Sequence, residues 1–363
     1  MDSKGKELKI AIIGCGGIAN GKHMPAIKKT GKAVMTTFCD IVPERAEKAA
    51  AEYGTKDAKV VLDYRKVLED KSIDIVHVLT PNRTHSEITV AALEAGKHVM
   101  CEKPMAKDPA GARAMCEASE RTGKQLTIGY QSRYREDSRY LKKTIERGDL
   151  GEIYFAKAHA IRRRAVPTWG VFLNEYEQGG GPLIDIGTHA LDLTLWLMNN
   201  YEPRTVTGSV YRKLVDNKDS ANAWGPWDPA KFTVEDSAFG FIQMKNGATI
   251  YLESSWALNT LDEGEGISTL CGTQGGADFR DGLRLNGEEF GRKWMKKPDL
   301  AAAGVAFYDG VTLEPQDIEC RQWLDAVLNG TKPLVLPRQA LVVTEILDAI
   351  YRSAKSGKAV EFK

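Results

Sequence analysis

Two short segments place side chains that can move protons beside apolar runs. Lys103 stands in "CEKP", and Asp185 and His189 are four residues apart in "GGGPLIDIGTHALDLTLWL". An imidazole can take a proton near neutral pH, and an ammonium group can stabilise a developing alkoxide. If the second segment is helical, Asp185 and His189 share one face. We predict proton transfer at a hydroxyl; the alternatives are a core or capping histidine and a surface Glu–Lys pair.

A glycine-rich segment, "GCGGIA", follows the first apolar run and precedes a helical pattern. Its first glycine suits a tight turn, its second lets the backbone approach a pyrophosphate, and its alanine allows close helix–strand packing. An acid ends the next predicted strand, 21 residues after that alanine. This context predicts a dinucleotide site. Its expected turn residues are Gly14, Gly16, Gly17, Ile18 and Ala19.

The acid after the second strand, Asp40, decides which dinucleotide is predicted. Its carboxylate can accept hydrogen bonds from ribose hydroxyls and would repel a 2′-phosphate, which favours NAD over NADP. Asp40 could instead merely cap the following helix. Arg45, five residues further on, could neutralise a 2′-phosphate or lie over the adenine. FAD is the weaker alternative because no second glycine-rich segment clearly suits it.

Two further segments stand at predicted carboxyl ends of strands, the edge where ligands of open α/β sheets bind. "LTPNRTH" is expected to present groups to the nicotinamide half, and an ordinary strand-to-helix turn is the alternative. Its predicted cofactor contacts are Thr80, Pro81, Asn82 and His85. In "CEKP", Glu102 is predicted to offset the charge of Lys103 or to hold the ribose.

The elements that carry these residues divide the chain of 363 residues into two parts. Residues 1–128 alternate strand and helix patterns and predict an α/β domain with a parallel sheet. Residues 129–363 predict an α+β domain with a large, mostly antiparallel open sheet. Asn246-Gly247 joins two alternating runs as a hairpin, residues 214–230 predict a long loop, and two amphipathic helices are expected near 317–328 and 338–353.

Composition excludes several classes of protein. The chain is 42% hydrophobic and 27% charged with a formal net charge of +1, which argues against disorder and against a strongly electrostatic nucleic-acid binder. Apolar runs are too short to span a membrane, and the polar start indicates no secretory signal. The six cysteines form no CxxC pair and the histidines no HxxxH spacing, so a cytoplasmic protein without a metal site is predicted.

With "GCGGIA", "TPN", "EKP" and the Asp185–His189 segment, the sequence resembles the Gfo/Idh/MocA oxidoreductases over nearly its whole length. The resemblance implies a Rossmann domain and a second domain whose open sheet often forms homodimers or homotetramers. It also implies that Lys103, Asp185 and His189 are the catalytic set. Within the family the chain is similar to enzymes that oxidise the C3 hydroxyl of glucosides, so a sugar or polyol substrate is expected.

The same resemblance adds residues that line the pocket of family members. It predicts substrate contacts at Tyr130, Gln131 and Arg133, a cofactor contact at Arg163, and a role for Trp169 against the nicotinamide or a sugar face. Sheet packing and solvated charge are the alternatives for these five residues. Other functions that stay open are an inositol dehydrogenase, an NAD-retaining redox-assisted glycoside hydrolase or lyase, and a non-catalytic dinucleotide sensor.

Overall fold

The computed structural model describes residues 7–217, 220–300 and 314–362. The predicted domains include residues 1–6, 301–313 and 363, and the predicted loop includes 218–219, all of which lie outside the described residues. The chain divides into two compact units. Described residues up to 131 and 314–341 form the first, and the rest form the second.

The first unit contains a six-stranded parallel sheet. Its strands are β1 Leu8–Ile13, β2 Ala33–Cys39, β3 Gly54–Val61, β4 Ile75–Val78, β5 His98–Cys101 and β6 Leu126–Ile128. Their order is β3-β2-β1-β4-β5-β6, which reverses direction between β1 and β4. That reversal is the point where open α/β sheets bind nucleotides. The predicted α/β parallel fold is confirmed, although β3 was not predicted; none of its residues is buried.

Helices connect these strands, and only α3 among them was not predicted. They are α1 Met24–Thr30, α2 Pro43–Tyr53, α3 Tyr64–Glu69, α4 His85–Glu94 and α5 Pro109–Thr122. Local chemistry explains the boundaries of α5: the Asp108 side chain caps it by accepting the Gly111 N–H at 2.9 Å, and Gly123 ends it with a φ of 66°. Two π-helical or 3₁₀ turns stand beside functional segments, at Ala19–His23 and Asn82–Thr84.

The second unit contains a nine-stranded sheet. Its strands are β7 Ile153–Ile161, β8 Pro203–Tyr211, β9 Ser237–Met244, β10 Thr249–Ser255, β11 Gly264–Gly272, β12 Gly275–Asp278, β13 Arg284–Glu289, β14 Arg292–Lys296 and β15 Val360–Glu361. Their order is β14-β13-β12-β11-β7-β10-β9-β8-β15, and only β7 and β10 pair in parallel. The predicted hairpin joins β9 to β10 through Gly247, whose φ is 91°. The predicted mostly antiparallel sheet is confirmed.

One face of this sheet is covered and the other is open. The helices that precede or follow its first strands are α6 Glu136–Glu146, α7 Glu175–Gln178 and α8 Thr188–Met198. Ala156, Ala158 and Ala160 alternate along β7 and are fully buried beneath α8. On the opposite face Phe241 of β9 is 45% exposed. This alternation is the period of two that a half-covered sheet requires.

The two tail helices are α9 Pro315–Asn329 and α10 Pro337–Ser356, close to their predicted positions. The sequence analysis assigned α9 to the second domain with the rest of residues 129–363. In the structure α9 instead belongs to the first unit, where Trp323 and Leu324 join the core around Ile27 of α1. An amphipathic pattern shows which face of a helix is buried but not which domain buries it. The domain boundary predicted after residue 128 stays a prediction.

The described residues lack two features, a membrane-spanning helix and a cluster of metal ligands. No described helix is long and apolar enough to cross a bilayer. Nor do the described residues contain three or more His, Cys, Asp or Glu side chains grouped so that they could hold a metal ion.

Candidate active site

The glycine turn after β1 combines one constrained position with two open ones. Gly14 has a φ of 92°, and a Cβ there would stand 2.5 Å from the Leu79 carbonyl oxygen, so only glycine fits. A Cβ at Gly16 or Gly17 would meet nothing within 4 Å. The helical segment begins directly at these open glycines. This open backbone at a helix start fits the pyrophosphate of a dinucleotide.

An asparagine that the sequence analysis missed stabilises this turn. The Asn20 amide donates to the carbonyl oxygens of Cys15 at 2.9 Å and Gly16 at 2.8 Å. Ile18 is exposed beside the turn, whereas Ala19 is fully buried, as its predicted packing role requires. A single amide in a helical pattern carries no distinctive signal, so only the structure reveals Asn20.

Asp40 follows β2 and links its end to the glycine turn. One carboxylate oxygen accepts the Cys15 N–H at 2.8 Å, and the other accepts the Val42 N–H at 2.9 Å. Each carboxylate oxygen has a second acceptor site, so these bonds leave capacity for a ribose hydroxyl. Arg45 is exposed in the first turn of α2. The ribose role of Asp40 and the adenine role of Arg45 remain predictions.

His85 links the loops that follow β4 and β5. Its ring is buried, with Nδ1 2.8 Å from the Pro104 carbonyl oxygen and Nε2 2.8 Å from the Thr80 carbonyl oxygen. Burial lowers the pKa of this imidazole. The predicted direct cofactor contact of His85 is therefore corrected to a positioning role, because both ring nitrogens are turned to the backbone. Of the other residues predicted in this loop, Pro81 is exposed and Thr80 and Asn82 are partly buried.

Glu102 is buried in a polar cluster after β5. Its Oε1 lies 2.8 Å from both Lys22 Nζ and His23 Nε2, and its Oε2 accepts the Lys103 backbone N–H at 3.0 Å. Burial acts to raise the pKa of Glu102, but the Lys22 ammonium and the His23 ring hold that pKa well below its ordinary value. The charge of Glu102 thus offsets that of Lys22, and its ribose contact stays a prediction.

Lys22 is shared between two carboxylates. Besides Glu102, its ammonium contacts Glu319 of α9 at 2.9 Å, and all three side chains are buried. Burial alone would lower the pKa of Lys22, but the two carboxylates raise it above its ordinary value. The pairing of one lysine with a residue almost 300 positions away is a tertiary contact that a single sequence does not show.

Two histidines extend this cluster into the sheet. His23 Nδ1 and His77 Nδ1 are 3.2 Å apart, and among the described residues His77 Nε2 has no hydrogen-bond partner. Because a carboxylate only accepts, His23 donates through Nε2 to Glu102. Burial lowers the pKa of His77 well below its ordinary value, so the His77 ring is neutral.

Lys103 follows β5 at the carboxyl edge of the first sheet. Its backbone N–H is held by Glu102, its peptide bond to Pro104 is cis, and its side chain is partly exposed. The buried cluster therefore fixes the main chain at Lys103 while the side chain still reaches solvent. That combination suits a cation that contacts a ligand at the sheet edge.

Asp185 lies in the second unit, in a π-helical turn at Leu183–Gly187 that continues into α8. One carboxylate oxygen accepts the Trp256 indole N–H at 3.1 Å and lies 3.9 Å from Arg162 Nη1. His189 follows in the first turn of α8, and both side chains are partly exposed between buried neighbours. π-helical turns inside helices are frequent at functional sites. The structure thus presents Asp185 and His189 from one short helical segment.

Glu235, which the sequence analysis missed, anchors the start of this segment. Its carboxylate accepts the backbone N–H groups of Gly181 at 2.9 Å and Leu183 at 3.1 Å, and the Tyr351 hydroxyl at 2.8 Å. Burial raises the pKa of Glu235. A buried carboxylate at a helix N-terminus satisfies donors that have no partner inside the helix. Glu235 therefore fixes the turn that carries Asp185.

Family models match both parts of the chain. Residues 8–130 match the model of an oxidoreductase family with an NAD-binding Rossmann fold, and residues 138–278 match the GFO/IDH/MocA C-terminal domain. The chain belongs to the Gfo/Idh/MocA oxidoreductase family. The predicted family, the oxidoreductase class and NAD as cofactor are thereby confirmed. The open backbone at Gly16 and Gly17 fits that cofactor.

Two curated relatives of this Gfo/Idh/MocA chain are named for sugar substrates. The D-glucoside 3-dehydrogenase of Escherichia coli (strain K12) is 34% identical over 98% of this chain and 97% of its own. The glucose-6-phosphate 3-dehydrogenase of Bacillus subtilis (strain 168) is 31% identical over 68% of this chain and 67% of its own.

Solved structures share the fold. A Kribbella flavida oxidoreductase domain protein superposes with a TM-score of 0.85 at 24% identity, over 99% of this chain and 100% of its own. A levoglucosan dehydrogenase in complex with NADH and levoglucosan superposes with a TM-score of 0.83 at 23% identity, over 98% of this chain and 99% of its own.

Arg133 is the clearest correction to the pocket residues that the family resemblance implied. Its side chain is fully buried, and its guanidinium donates to both carboxylate oxygens of Asp192, at 2.9 Å from Nε and 2.6 Å from Nη2. Such a bidentate pair in the interior is structural, because the charged face of the arginine has no exposed surface. A substrate contact for Arg133 is therefore wrong.

The other implied pocket residues differ in exposure. Tyr130 is fully buried, Gln131 and Arg163 are exposed, and Trp169 is 50% exposed. The neighbouring Arg162, which the sequence analysis did not select, is the arginine beside Asp185, and it also donates to Glu265 at 2.6 and 2.9 Å. Roles for Tyr130, Gln131, Arg163 and Trp169 remain predictions.

Proposed function

We propose that this protein oxidises a secondary hydroxyl of a sugar, glycoside or cyclitol with NAD, with the C3 hydroxyl of a glucoside as the first candidate. The observation that carries the proposal is its 34% identity, along almost the whole of both chains, to the Escherichia coli D-glucoside 3-dehydrogenase. Lys103 at a strand end and Asp185 and His189 in one helical segment supply the polar groups that such a reaction needs.

The first unit would hold the cofactor. Gly16 and Gly17 would take the pyrophosphate, Asp40 the adenosine ribose, and the turn at Thr80–Asn82 the nicotinamide half. Bound NAD would accept a hydride from the alcohol carbon. The chain would supply the proton acceptor, the charge stabilisation and the orientation of the substrate.

Each of the three polar residues has a separate proposed role. His189 removes the hydroxyl proton as general base. Lys103 donates a hydrogen bond to the same oxygen and stabilises negative charge as it develops. Asp185, kept in place by the Trp256 indole and next to the Arg162 cation, accepts a hydrogen bond from a neighbouring substrate hydroxyl.

A direct test incubates the purified protein with NAD and a panel of methyl glucoside, glucose, levoglucosan and myo-inositol, following absorbance at 340 nm. Methyl glucoside should produce NADH, and NMR should identify a ketone at C3. NADH from myo-inositol alone would favour the inositol dehydrogenase. Release of methanol with NAD retained would favour a redox-assisted hydrolase or lyase. NAD binding without turnover of any alcohol would contradict the proposal and favour a sensor.

We also propose that the open face of the second sheet joins copies of the chain into a homodimer or homotetramer. Phe241 is 45% exposed there, and Tyr251 pairs with it on the neighbouring strand. Apolar side chains grouped on an uncovered sheet face are typical of a contact surface. Light scattering after gel filtration should give a multiple of 40.0 kDa. Phe241→Glu should lower that mass, and a wild-type monomer would contradict the proposal.

A cytoplasmic location completes the proposed function. All six cysteines are free thiols, and five of them are buried. Burial, followed by the nearby Asp40 carboxylate, raises the pKa of both Cys15 and Cys39 to about 12, so these thiols stay protonated. Free buried thiols are compatible with a reducing compartment. Fractionation of the cells that produce the protein tests the location, and recovery outside the cytoplasm would contradict it.

A further inference from the structure

Two tryptophans of the second unit expose their indole rings side by side. Trp169 is 50% exposed and Trp224 is 42% exposed, and their ring centroids lie 4.8 Å apart at an interplanar angle of 84°. A single exposed apolar side chain is ordinary, but two adjacent half-exposed indoles form a continuous apolar surface. We call this pair the tryptophan pair. Trp224 stands in the 214–230 loop, a segment that the proposed reaction does not otherwise use.

Hydrogen bonds fix the tryptophan pair to the main chain. Asn222 accepts the Val166 N–H at 2.8 Å and donates to the Val166 carbonyl oxygen at 3.0 Å. The Thr168 hydroxyl donates to the Trp224 carbonyl oxygen at 2.8 Å. These bonds tie the part of the loop around Trp224 to the segment that carries Trp169. The exposed rings are therefore preorganised, which lowers the entropic cost of binding a ligand.

Two chains of contacts connect the tryptophan pair with Asp185. Along the first, the Arg162 guanidinium lies 5.2 Å from the Trp224 ring centroid, and its Nη1 is 3.9 Å from an Asp185 oxygen. Glu265 holds that guanidinium through two further hydrogen bonds. One guanidinium group thus spans the distance between the carboxylate and the indole.

The second chain runs through the aromatic interior. Trp256 donates its indole N–H to Asp185 and meets Phe172 edge to face, with ring centroids 6.5 Å apart. Phe172 in turn meets Trp169 edge to face at 5.9 Å. The Asp185 carboxylate, which would orient the sugar, therefore contacts an aromatic cluster. The exposed members of that cluster are the two residues of the tryptophan pair.

From this arrangement we propose that the tryptophan pair is a subsite for the aglycone ring of a glycoside, next to the sugar that Asp185 orients. Aromatic aglycones and the C–H faces of pyranose rings both stack on indole, while Arg162 can donate to oxygens at the ring edge. This inference rests on the proposed function, because it takes Asp185 as a substrate contact. It makes the substrate a glycoside with a cyclic aglycone, in preference to a free sugar.

The test compares phenyl glucoside with methyl glucoside, which differ only in the aglycone. In the wild type the phenyl compound should bind more tightly by calorimetry and have the higher kcat/KM with NAD. Trp224→Ala should lower the phenyl-to-methyl ratio of kcat/KM about three- to tenfold, the size expected for one lost aromatic contact. Trp169→Ala should do the same and leaves the contact of Arg162 with Trp224 in place.

Controls separate this subsite from the reaction itself. Tyr154 is 54% exposed on β7, and Tyr154→Ala should not change the ratio. The subsite is wrong if both tryptophan variants keep the wild-type phenyl-to-methyl ratio of kcat/KM. The same holds if kcat/KM falls equally for both glucosides. Either result contradicts the subsite even though NADH is formed. A wild type that prefers phenyl glucoside in binding but reduces no NAD would overturn the proposed function and leave the subsite standing. Variants that change only the oligomeric mass would make the pair a subunit contact instead.

Discussion

His23 donates its Nε2 hydrogen to Glu102 Oε1 over 2.8 Å, and both side chains are buried. His23 ends the π-helical turn that follows the cofactor glycines, whereas Glu102 holds the backbone of Lys103. One carboxylate therefore connects the segment beside the pyrophosphate turn with the segment that carries the proposed catalytic lysine. Through it, the conformation of the glycine turn and the position of Lys103 are coupled by direct contacts.

Glu102→Gln tests this positioning role. The amide cannot accept from Lys22, His23 and the Lys103 N–H as the carboxylate does, and it removes a charge that neutralises a buried ammonium. We expect a loss of about 3 kcal/mol in the free energy of unfolding. We expect kcat to fall roughly tenfold to hundredfold because Lys103 is displaced. Urea unfolding and steady-state kinetics well below the melting temperature measure the two effects.

The matched control is Glu319→Gln. Glu319 contacts the same Lys22 ammonium at 2.9 Å, and Lys103 follows Glu102 rather than Glu319. This variant should lose stability in the same way while kcat stays close to that of the wild type. If Glu319→Gln lowers kcat as much as Glu102→Gln does, Glu102 is merely structural. If neither variant lowers kcat, the coupling between the two segments is absent.

The sequence was sufficient for the strands of the first unit other than β3. The apolar run at Leu8–Ile13, the glycines after it and the acid at Asp40 follow from local rules of turn geometry and strand burial. Asn246-Gly247 likewise predicts its own hairpin. These features are correct because each depends on residues within about one supersecondary unit.

Features that depend on distant partners could not be predicted. The buried Lys22 pairs with both Glu102 and Glu319, and the second of these comes from the distant α9. Arg133 carries the charge expected of a pocket residue, yet Asp192 pairs with it inside the core. Of two adjacent arginines, Arg162 lies beside Asp185 whereas Arg163 is exposed. Composition and spacing do not contain that information.

The neutral, buried His77 predicts a pH dependence of stability. Its pKa in the folded protein is well below the ordinary value of 6.5, so the unfolded chain binds a proton that the folded chain does not. The contribution of His77 to the free energy of unfolding is therefore fully present above pH 6.5 and is lost as the pH falls below that value. Between pH 7 and pH 5 this group should cost about 2 kcal/mol in the free energy of unfolding.

Urea unfolding at pH 7, 6 and 5 measures that dependence. His77→Gln removes the titrating group, so its stability should change less with pH than that of the wild type, whatever its absolute value. His85, whose pKa burial also lowers, adds to the slope in both proteins. Equal slopes for wild type and variant would show that His77 does not titrate in this way.

Asp40 should determine the preference for NAD over NADP. Asp40→Ala removes the acceptor for the ribose hydroxyls and should raise the KM for NAD about tenfold. The KM for NADP should rise less, because the same change removes repulsion of the 2′-phosphate. Asp40→Asn keeps an oxygen for the Cys15 N–H and should relieve the repulsion at a smaller loss of NAD binding. Equal effects on both cofactors would make Asp40 only a cap for the turn.

His189→Ala should abolish most turnover but preserve cofactor binding. General-base catalysis typically contributes 10²–10⁴-fold, so kcat should fall by about that factor while calorimetry still detects NAD. His98→Gln is the matched control, because His98 begins β5 at the end of the strand opposite to Lys103. It should keep kcat close to the wild-type value. Normal turnover by His189→Ala would exclude this histidine as the base.

Substitutions at two glycines of the cofactor turn should affect different properties. A change at Gly14 should lower the stability of the fold, and a change at Gly16 should weaken the binding of NAD. Gly14→Ala forces a Cβ to 2.5 Å from the Leu79 carbonyl oxygen at a φ of 92°, so the protein should lose at least about 2 kcal/mol of stability. Gly16→Val adds side-chain atoms where a Cβ meets nothing within 4 Å, so melting should change little. Those atoms would occupy the space of the pyrophosphate, and the Kd for NAD should rise at least about tenfold. Calorimetric melting and NAD titration of both variants measure this contrast, and unchanged NAD binding by Gly16→Val would place the pyrophosphate elsewhere.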